Sequence, residues 1–240
     1  KGFSLAESEF PMVFYSDDRP GWPRHRVREW QPSTTMRFYV SQTALSSTPP
    51  SASATLPFAL QYDAGYTPLM GWNDRFAGTN FRNAFQATPV RLMSAPLTDA
   101  VEVTGIPRAH LSVSSDGQKF QTHVRVYDVA PSGSGFEWRL MSRGNYGVRN
   151  NAPGATHQLD FECRALSHFV PAGHRIGVEI SSLDMFSADV AQIVPFFAST
   201  NSNALSSPSN PSYIDLQIVG SGTVEVAEAH SLPHGFFLHQ

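Results

Sequence analysis

A period of two in the apolar residues constrains this chain more than any other feature. Val101 and Val103 run up to Gly105. Ala109, Leu111 and Val113 lead to Ser114-Ser115-Asp116-Gly117, and Phe120, Thr122, Val124 and Val126 precede a turn at Pro131–Gly135. Phe136, Trp138 and Leu140 come next, then Leu159, Phe161 and Cys163, then Ile176, Val178 and Ile180. Successive side chains of a pleated strand point to opposite faces, so such runs read as half-buried strands; a helix would need apolar residues every third or fourth position. Weaker runs of the same kind occupy 11–15, 26–30, 35–40, 55–62, 90–92 and 213–219. Roughly ten or more short strands separated by Gly, Pro, Ser and Asn clusters, with no amphipathic pattern beyond about three helical turns, imply an all-β sandwich, jelly roll or barrel. The runs do not repeat one another in sequence, which argues against a propeller or solenoid.

The segments between the runs read as turns and loops. Residues 16–23 hold Pro20, Gly21 and Pro23, and residues 41–53, 149–158 and 199–212 are polar and Ser-, Pro- or Asn-rich. Ser114–Gly117 reads as a hairpin turn. Residues 63–85 are aromatic-containing but aperiodic, and long loops of that kind are often functional. Residues 1–222 are expected to form one sandwich domain, with 1–25 a linker from a preceding domain and 223–240 a tail. The chain opens on Lys1-Gly2 rather than Met, as expected of a fragment or a processed piece.

Composition excludes several classes. With 41% hydrophobic and 12% aromatic residues the chain is not disordered. Its net charge of −3, without a Lys/Arg cluster, argues against nucleic-acid binding. Its longest apolar runs, such as 193–198, are too short to cross a bilayer. One cysteine, Cys163, forbids an internal disulfide and fits the cytoplasm slightly better than the outside. Its alternation with Phe161 makes it a core thiol rather than a nucleophile.

Catalytic patterns are missing. Ser134 and Ser221 each lie between glycines, but Ser132 and Val219 stand where G-x-S-x-G needs its first glycine. There is no phosphate-binding loop, no H-E-x-x-H and no cysteine-rich zinc spacing, so no catalytic residue, metal or cofactor is expected. His230, His234 and His239 are broken up by Pro233 and Gly235 and read as a terminal segment. Asp17-Asp18 reads as turn chemistry rather than a calcium site. His123 lies opposite the apolar face of its strand and is expected in solvent. Trp22, Tyr66 and Trp72 are the candidate binding residues, as a stacking platform for sugar rings or apolar groups; the competing reading makes them plugs beneath a loop.

The order of several short motifs resembles one family. Val101–Pro107 and Leu111–Asp116 look like the opening of its module, and Tyr127–Gly133 resembles its "DV-x-P-x-G" turn. Phe169-Val170-Pro171-Ala172-Gly173-His174-Arg175-Ile176, continued by Val178–Ser182, resembles "F-x-x-G-H-R-I-x-V-x-I-S-S". Trp30-Gln31-Pro32, Tyr62-Asp63, Ala95-Pro96-Leu97 and Lys1-Gly2 add weaker pieces. The module is the C-terminal jelly-roll domain of the X-Pro dipeptidyl-peptidase and cocaine-esterase (CocE/NonD) serine hydrolases. The chain departs from it at Leu183–Ser187 and at Trp72, which replaces a glycine. The resemblance implies a galactose-binding-like jelly roll of two packed antiparallel sheets. It also implies a non-catalytic role against an α/β-hydrolase domain, to which the catalytic Ser, Asp and His belong, and whose cleft this module helps to shape. Self-association is a further expectation. A stand-alone carbohydrate-binding module is the alternative.

Overall fold

The computed structural model of the chain describes residues 12–15, 24–27, 34–62, 85–183, 199–218 and 225–227. These form strands and no helix. In chain order they are β1 (Met12–Tyr15), β2 (Arg24–Val27), β3 (Thr34–Val40), β4 (Leu45–Ser46), β5 (Ala54–Tyr62), β6 (Phe85–Thr88), β7 (Val90–Met93), β8 (Val101–Gly105) and β9 (Arg108–Ser115). There follow β10 (Phe120–Ser132), β11 (Gly135–Val148), β12 (Thr156–Glu162), β13 (Leu166–Val170), β14 (Arg175–Ser181), β15 (Thr200–Ser206), β16 (Tyr213–Ile218) and β17 (Glu225–Ala227). Trp22, Tyr66, Trp72, the Asp17-Asp18 pair and the three C-terminal histidines lie outside the described residues.

Two antiparallel sheets make the sandwich. The smaller has the order β11-β10-β14-β7. The larger runs β13-β8-β16-β9-β15-β5-β6, with β12 on β9, β3 on β16 and β4 on β3. A third, three-stranded sheet joins β1, β2 and β17. Strand β9 organises the large sheet. Strand β12 runs along one edge of it, while β16 and β15 share the other, beside 108–110 and 112–115 respectively. Where those two strands part, buried Ser212 fills the gap. Its hydroxyl accepts from Ser112 N–H at 2.9 Å and donates to the Leu205 carbonyl at 2.5 Å.

The expected alternation is visible in the burial. Strand β16 buries Ile214, Leu216 and Ile218 and turns Tyr213, Asp215 and Gln217 outward. The core gathers Phe38, Phe58, Leu111, Val113 and Ile214 from the large sheet and Phe120, Val124, Val126, Ile176 and Ile180 from the small one. Each such side chain contributes about 1.5–3 kcal/mol by leaving water. The long hairpin β10–β11 turns through Gly133 at φ +55°, a left-handed value that favours glycine. Its register slips between Val126 and Tyr127, so Met141 forms a bulge on β11.

Three expectations are corrected. Ser114–Gly117 is not a hairpin turn: β9 pairs with β12, β15 and β16 and β10 with β11 and β14, so the turn carries the chain from one sheet to the other. Turn chemistry fixes the reversal but not the partner. Residues 199–212 are not all loop, because 200–206 form β15. Its Ser- and Asn-rich sequence has little strand preference of its own, but it is held between β5 and β9, and pairing overrides propensity. His123 is not in solvent: it is 5% exposed, because both faces of β10 are buried. A period of two separates the faces of a strand without revealing whether the second one is covered.

Candidate functional site

With the three expected aromatics outside the described residues, the chemistry of the described part rests on polar clusters built by the strands. The first joins the sheets. Asp128 follows Val124 and Val126 on the core face of β10 and is 2% exposed. Its Oδ1 lies 2.7 Å from Nδ1 of His174, in the turn before β14. Its Oδ2 lies 3.3 Å from Nε2 of His168, which faces the core from β13 in the opposite sheet. An ionised carboxylate only accepts, so both ring nitrogens carry the proton and donate. Burial alone would push Asp128 up, but the hydrogen bonds and positive character of His168 and His174 outweigh it and hold the carboxyl below its ordinary value. The turn depends on Gly173 at φ +84°, whose N–H bonds to the Leu97 carbonyl at 2.8 Å. The Gly173-His174-Arg175 motif therefore ties two strands of one sheet to a strand of the other.

An Asp–His pair is also two-thirds of a hydrolytic triad. Among the described residues, no serine, threonine or cysteine side chain bonds to His174. The cluster is a clamp. Cys163 gives no nucleophile either, since burial pushes its thiol up to about 12. No group of three or more metal-ligating side chains occurs among the described residues.

The second cluster lies on the other face of the small sheet. Glu179 on β14, 1% exposed, receives Arg125 from β10 on one oxygen and Nε of Arg91 from β7 on the other, the latter at 2.7 Å. Register places the three side by side, Arg125 opposite Glu179 and Glu179 opposite Arg91. Arg125 also donates to the Leu183 carbonyl at 3.3 Å, and Gln121 to that of Ser182 at 3.0 Å. Beside them Tyr127 meets Trp138 edge to face at 5.3 Å. Burial pushes the Tyr127 hydroxyl up. Gly177 makes that packing possible, since a Cβ there would stand 2.6 Å from both the Trp138 ring and Val129.

The third is a pair of cross-strand rows on the exposed face of the large sheet. Arg37, Asp215, Arg108 and Glu162 stand side by side on β3, β16, β9 and β12, with charges alternating. Arg37 bonds Asp215 through Nε at 2.7 Å and Nη2 at 2.8 Å; Arg108 reaches Glu162 at 2.7 Å. These hydrogen bonds raise both guanidinium groups. The next row is Tyr39, Tyr213, His110 and Asp160, with His110 stacked on Tyr213 at 4.7 Å. Arg37 lies over the Tyr213 ring at 3.7 Å. Beyond the charged row, a cavity of about 770 Å³ opens among Ile106, Leu166, Ala165, Thr35 and Gln217, with Arg108, Glu162 and Asp215 on its polar side.

Sequence reasoning reached Asp128 and His174 only as members of their motifs. It missed His168, Arg125 and Glu179. The usable signal was phase: His168 stands two residues before Val170, and Arg125 and Glu179 share the second face of strands whose first face is apolar.

The family model of the X-Pro dipeptidyl-peptidase C-terminal non-catalytic domain matches residues 9–202. The fold is similar to part of an aminopeptidase from the marine sediment archaeon Thaumarchaeota archaeon (TM-score 0.64, 17% identity, 87% of this chain and 40% of that one). It is also similar to part of an α-amino acid ester hydrolase (TM-score 0.62, 19% identity, 87% and 41%). A CocE/NonD family hydrolase from Staphylococcus aureus gives a TM-score of 0.66 at 10% identity, over 91% of this chain and 43% of that one. This chain thus spans about two-fifths of the length of those structures, and at such identity the likeness is one of fold. No curated protein matches the chain. Motif order, an all-β sandwich and the family match over 9–202 converge: the chain belongs to the X-Pro dipeptidyl-peptidase C-terminal non-catalytic domain family.

Proposed function

We propose that this domain serves a serine hydrolase acting on esters or X-Pro peptides, packing on its α/β-hydrolase domain and walling part of the substrate cleft. The observation that carries this reading is the family match over 9–202, joined to a fold shared with hydrolases of which more than half lies outside the match. The proposed layout is one sandwich domain over 1–222, with 1–25 arriving from the hydrolase domain and 223–240 a tail. Its work is structural: rigid sheets, clamped to each other at Asp128, present a fixed surface to a partner. Purified chain incubated with p-nitrophenyl acetate and with Gly-Pro-p-nitroanilide is expected to release no product above buffer. Steady turnover by the chain alone would overturn the reading. Sedimentation of the chain tests self-association as a further proposal. The alternative, a carbohydrate-binding module using Trp22, Tyr66 or Trp72, expects soluble glycans to change tryptophan fluorescence and Trp→Ala variants to abolish the response.

A further inference from the structure

We infer that the outer edge of β11, over residues 136–140, pairs with the same edge of a second copy of this chain, antiparallel about a two-fold axis at Trp138. This names the surface and register for the self-association proposed above and rests on that reading. It is independent of the hydrolase assignment.

The main chain of this edge is open. Strand β11 is outermost in the small sheet, and over residues 135–140 it pairs with β10 alone among the described residues. Further along the edge is closed, where Arg164 N–H donates to the Arg143 carbonyl at 2.9 Å and the Ser142 hydroxyl to the Arg164 carbonyl at 2.5 Å. Facing residues of an antiparallel ladder alternate between pairs that exchange hydrogen bonds and pairs that do not. Ser132 and Gly135 close a two-residue turn and exchange bonds. The next pair is Pro131 with Phe136, where proline has no N–H to give. Residues 135, 137 and 139 therefore bond inward to β10, and Phe136, Trp138 and Leu140 turn their N–H and C=O groups outward. Phe136 is 43% exposed, and the side chains of Glu137 and Arg139 are 62% and 52% exposed, so this stretch faces solvent.

Charge selects a second copy as the occupant. Open edges are commonly guarded by charges, and a single sign repeated along the strand repels another copy. Strand β11 instead carries opposite signs two residues apart. A two-fold at Trp138 sets Glu137 opposite Arg139 of the second copy and Arg139 opposite its Glu137. Both are pairs without main-chain bonds, where Cα atoms come to about 4.5 Å and side chains lie closest. Within one chain the two groups are 3.9 Å apart, and a guanidinium has N–H donors for a further carboxylate. The outward main-chain groups match in the same register: Phe136 bonds with Leu140 of the second copy, and Trp138 with its counterpart. Their side chains then form one apolar stripe across both copies, on the face where Trp138 packs against Tyr127. Strand β12, beside β9 at the margin of the large sheet, fits less well. It carries Asp160 and Glu162 two apart, so the same operation about Phe161 sets acid against acid.

Sedimentation equilibrium of the purified chain over a wide range of concentration tests this. The mass is expected to climb from 26.3 kDa toward twice that value as concentration rises. Glu137→Arg alone, and Arg139→Glu alone, set like charges opposite each other in both cross-strand pairs and should each weaken association about tenfold or more. Both positions are exposed, so the circular dichroism of the variants should match that of the wild type. An equimolar mixture of the two variants should associate as the wild type does, because each supplies the charge the other lacks. The doubly substituted chain should do the same by itself. A wild-type chain that stays monomeric throughout would overturn the self-association reading and this inference together. Association that survives both single substitutions unchanged would overturn this inference and leave self-association standing elsewhere on the molecule. A mixture that fails to associate would overturn the two-fold register at Trp138, and the inference with it.

Discussion

Replacing Asp128 with alanine tests whether the clamp between the sheets carries the weight its geometry implies. The carboxylate accepts two charge-assisted hydrogen bonds, at 2.7 Å from His174 and 3.3 Å from His168. Bonds of this kind contribute about 1.5–3 kcal/mol each, and the longer one belongs at the low end. Truncation also takes the carboxylate away from His168, which is itself buried, whereas the partly exposed His174 can turn to water. Losing one member of a buried pair costs about 3–5 kcal/mol, and that is the expected loss for Asp128→Ala. Domains have only about 5–15 kcal/mol in total, so the variant should unfold at a much lower urea midpoint with an unchanged slope. A double-mutant cycle with His174→Ala should return a coupling of at least about 1 kcal/mol. Acid supplies a second axis. The folded pKa of Asp128 lies below its unfolded value of 3.8. The stability it contributes is therefore complete above that value and lost as pH falls through the folded pKa. The gap between wild type and Asp128→Asn should hold at neutral pH and narrow on acidification below about 3.8. A cost below about 1 kcal/mol for Asp128→Ala, or a vanishing coupling, would refute the clamp.

Three further outcomes are expected. Glu179→Ala removes the buried carboxylate that Arg125 and Arg91 share and should cost about 3–5 kcal/mol in urea titrations; a loss within about 0.5 kcal/mol would mean the ion pair is not desolvated. Gly177→Ala places a Cβ 2.6 Å from Trp138 and Val129; it should cost about 1–3 kcal/mol and shift the tryptophan emission of the folded chain, and a neutral substitution would show that the indole has room to move. Cys163 should resist alkylation by iodoacetamide in the native state by about three orders of magnitude relative to the unfolded chain, from a thiol raised from 9.0 to about 12; labelling at the free-thiol rate would place it at the surface.

The sandwich was legible because one face of nearly every strand is apolar and the other polar. Val124 and Val126 on β10 and Ile176, Val178 and Ile180 on β14 all lie in the core as their spacing demands. Partners were not legible in the same way. The turn at Asp116-Gly117 looks the same whether the strand after it folds back beside β9 or crosses to the other sheet. Strand β15 was hidden because Thr200, Ser202 and Ser206 are small and polar yet buried. Their burial is set by β5 and β9, far away in sequence. The clamp was half visible. Asp128 and His174 sit in recognisable motifs, but their meeting requires β10 to lie beside β14, and His168 joins only once the sheets face each other. The charged rows across β3, β16, β9 and β12 depend on four registers at once, and no window of sequence contains them.

Those rows also set a timetable for the nascent chain. Arg37 and Asp215 are 178 residues apart, yet β3 pairs with β16 and β5 with β15. At about 5–20 residues per second a ribosome takes on the order of ten seconds or more between them. Through that interval β3 and the 108–110 edge of β9 have no partner on the side that β16 will fill. Contacts so far apart also close slowly once available. The sandwich therefore completes only when residues up to Ile218 have emerged. A chain stopped before Tyr213 would carry open strand edges ready to pair with a neighbouring copy.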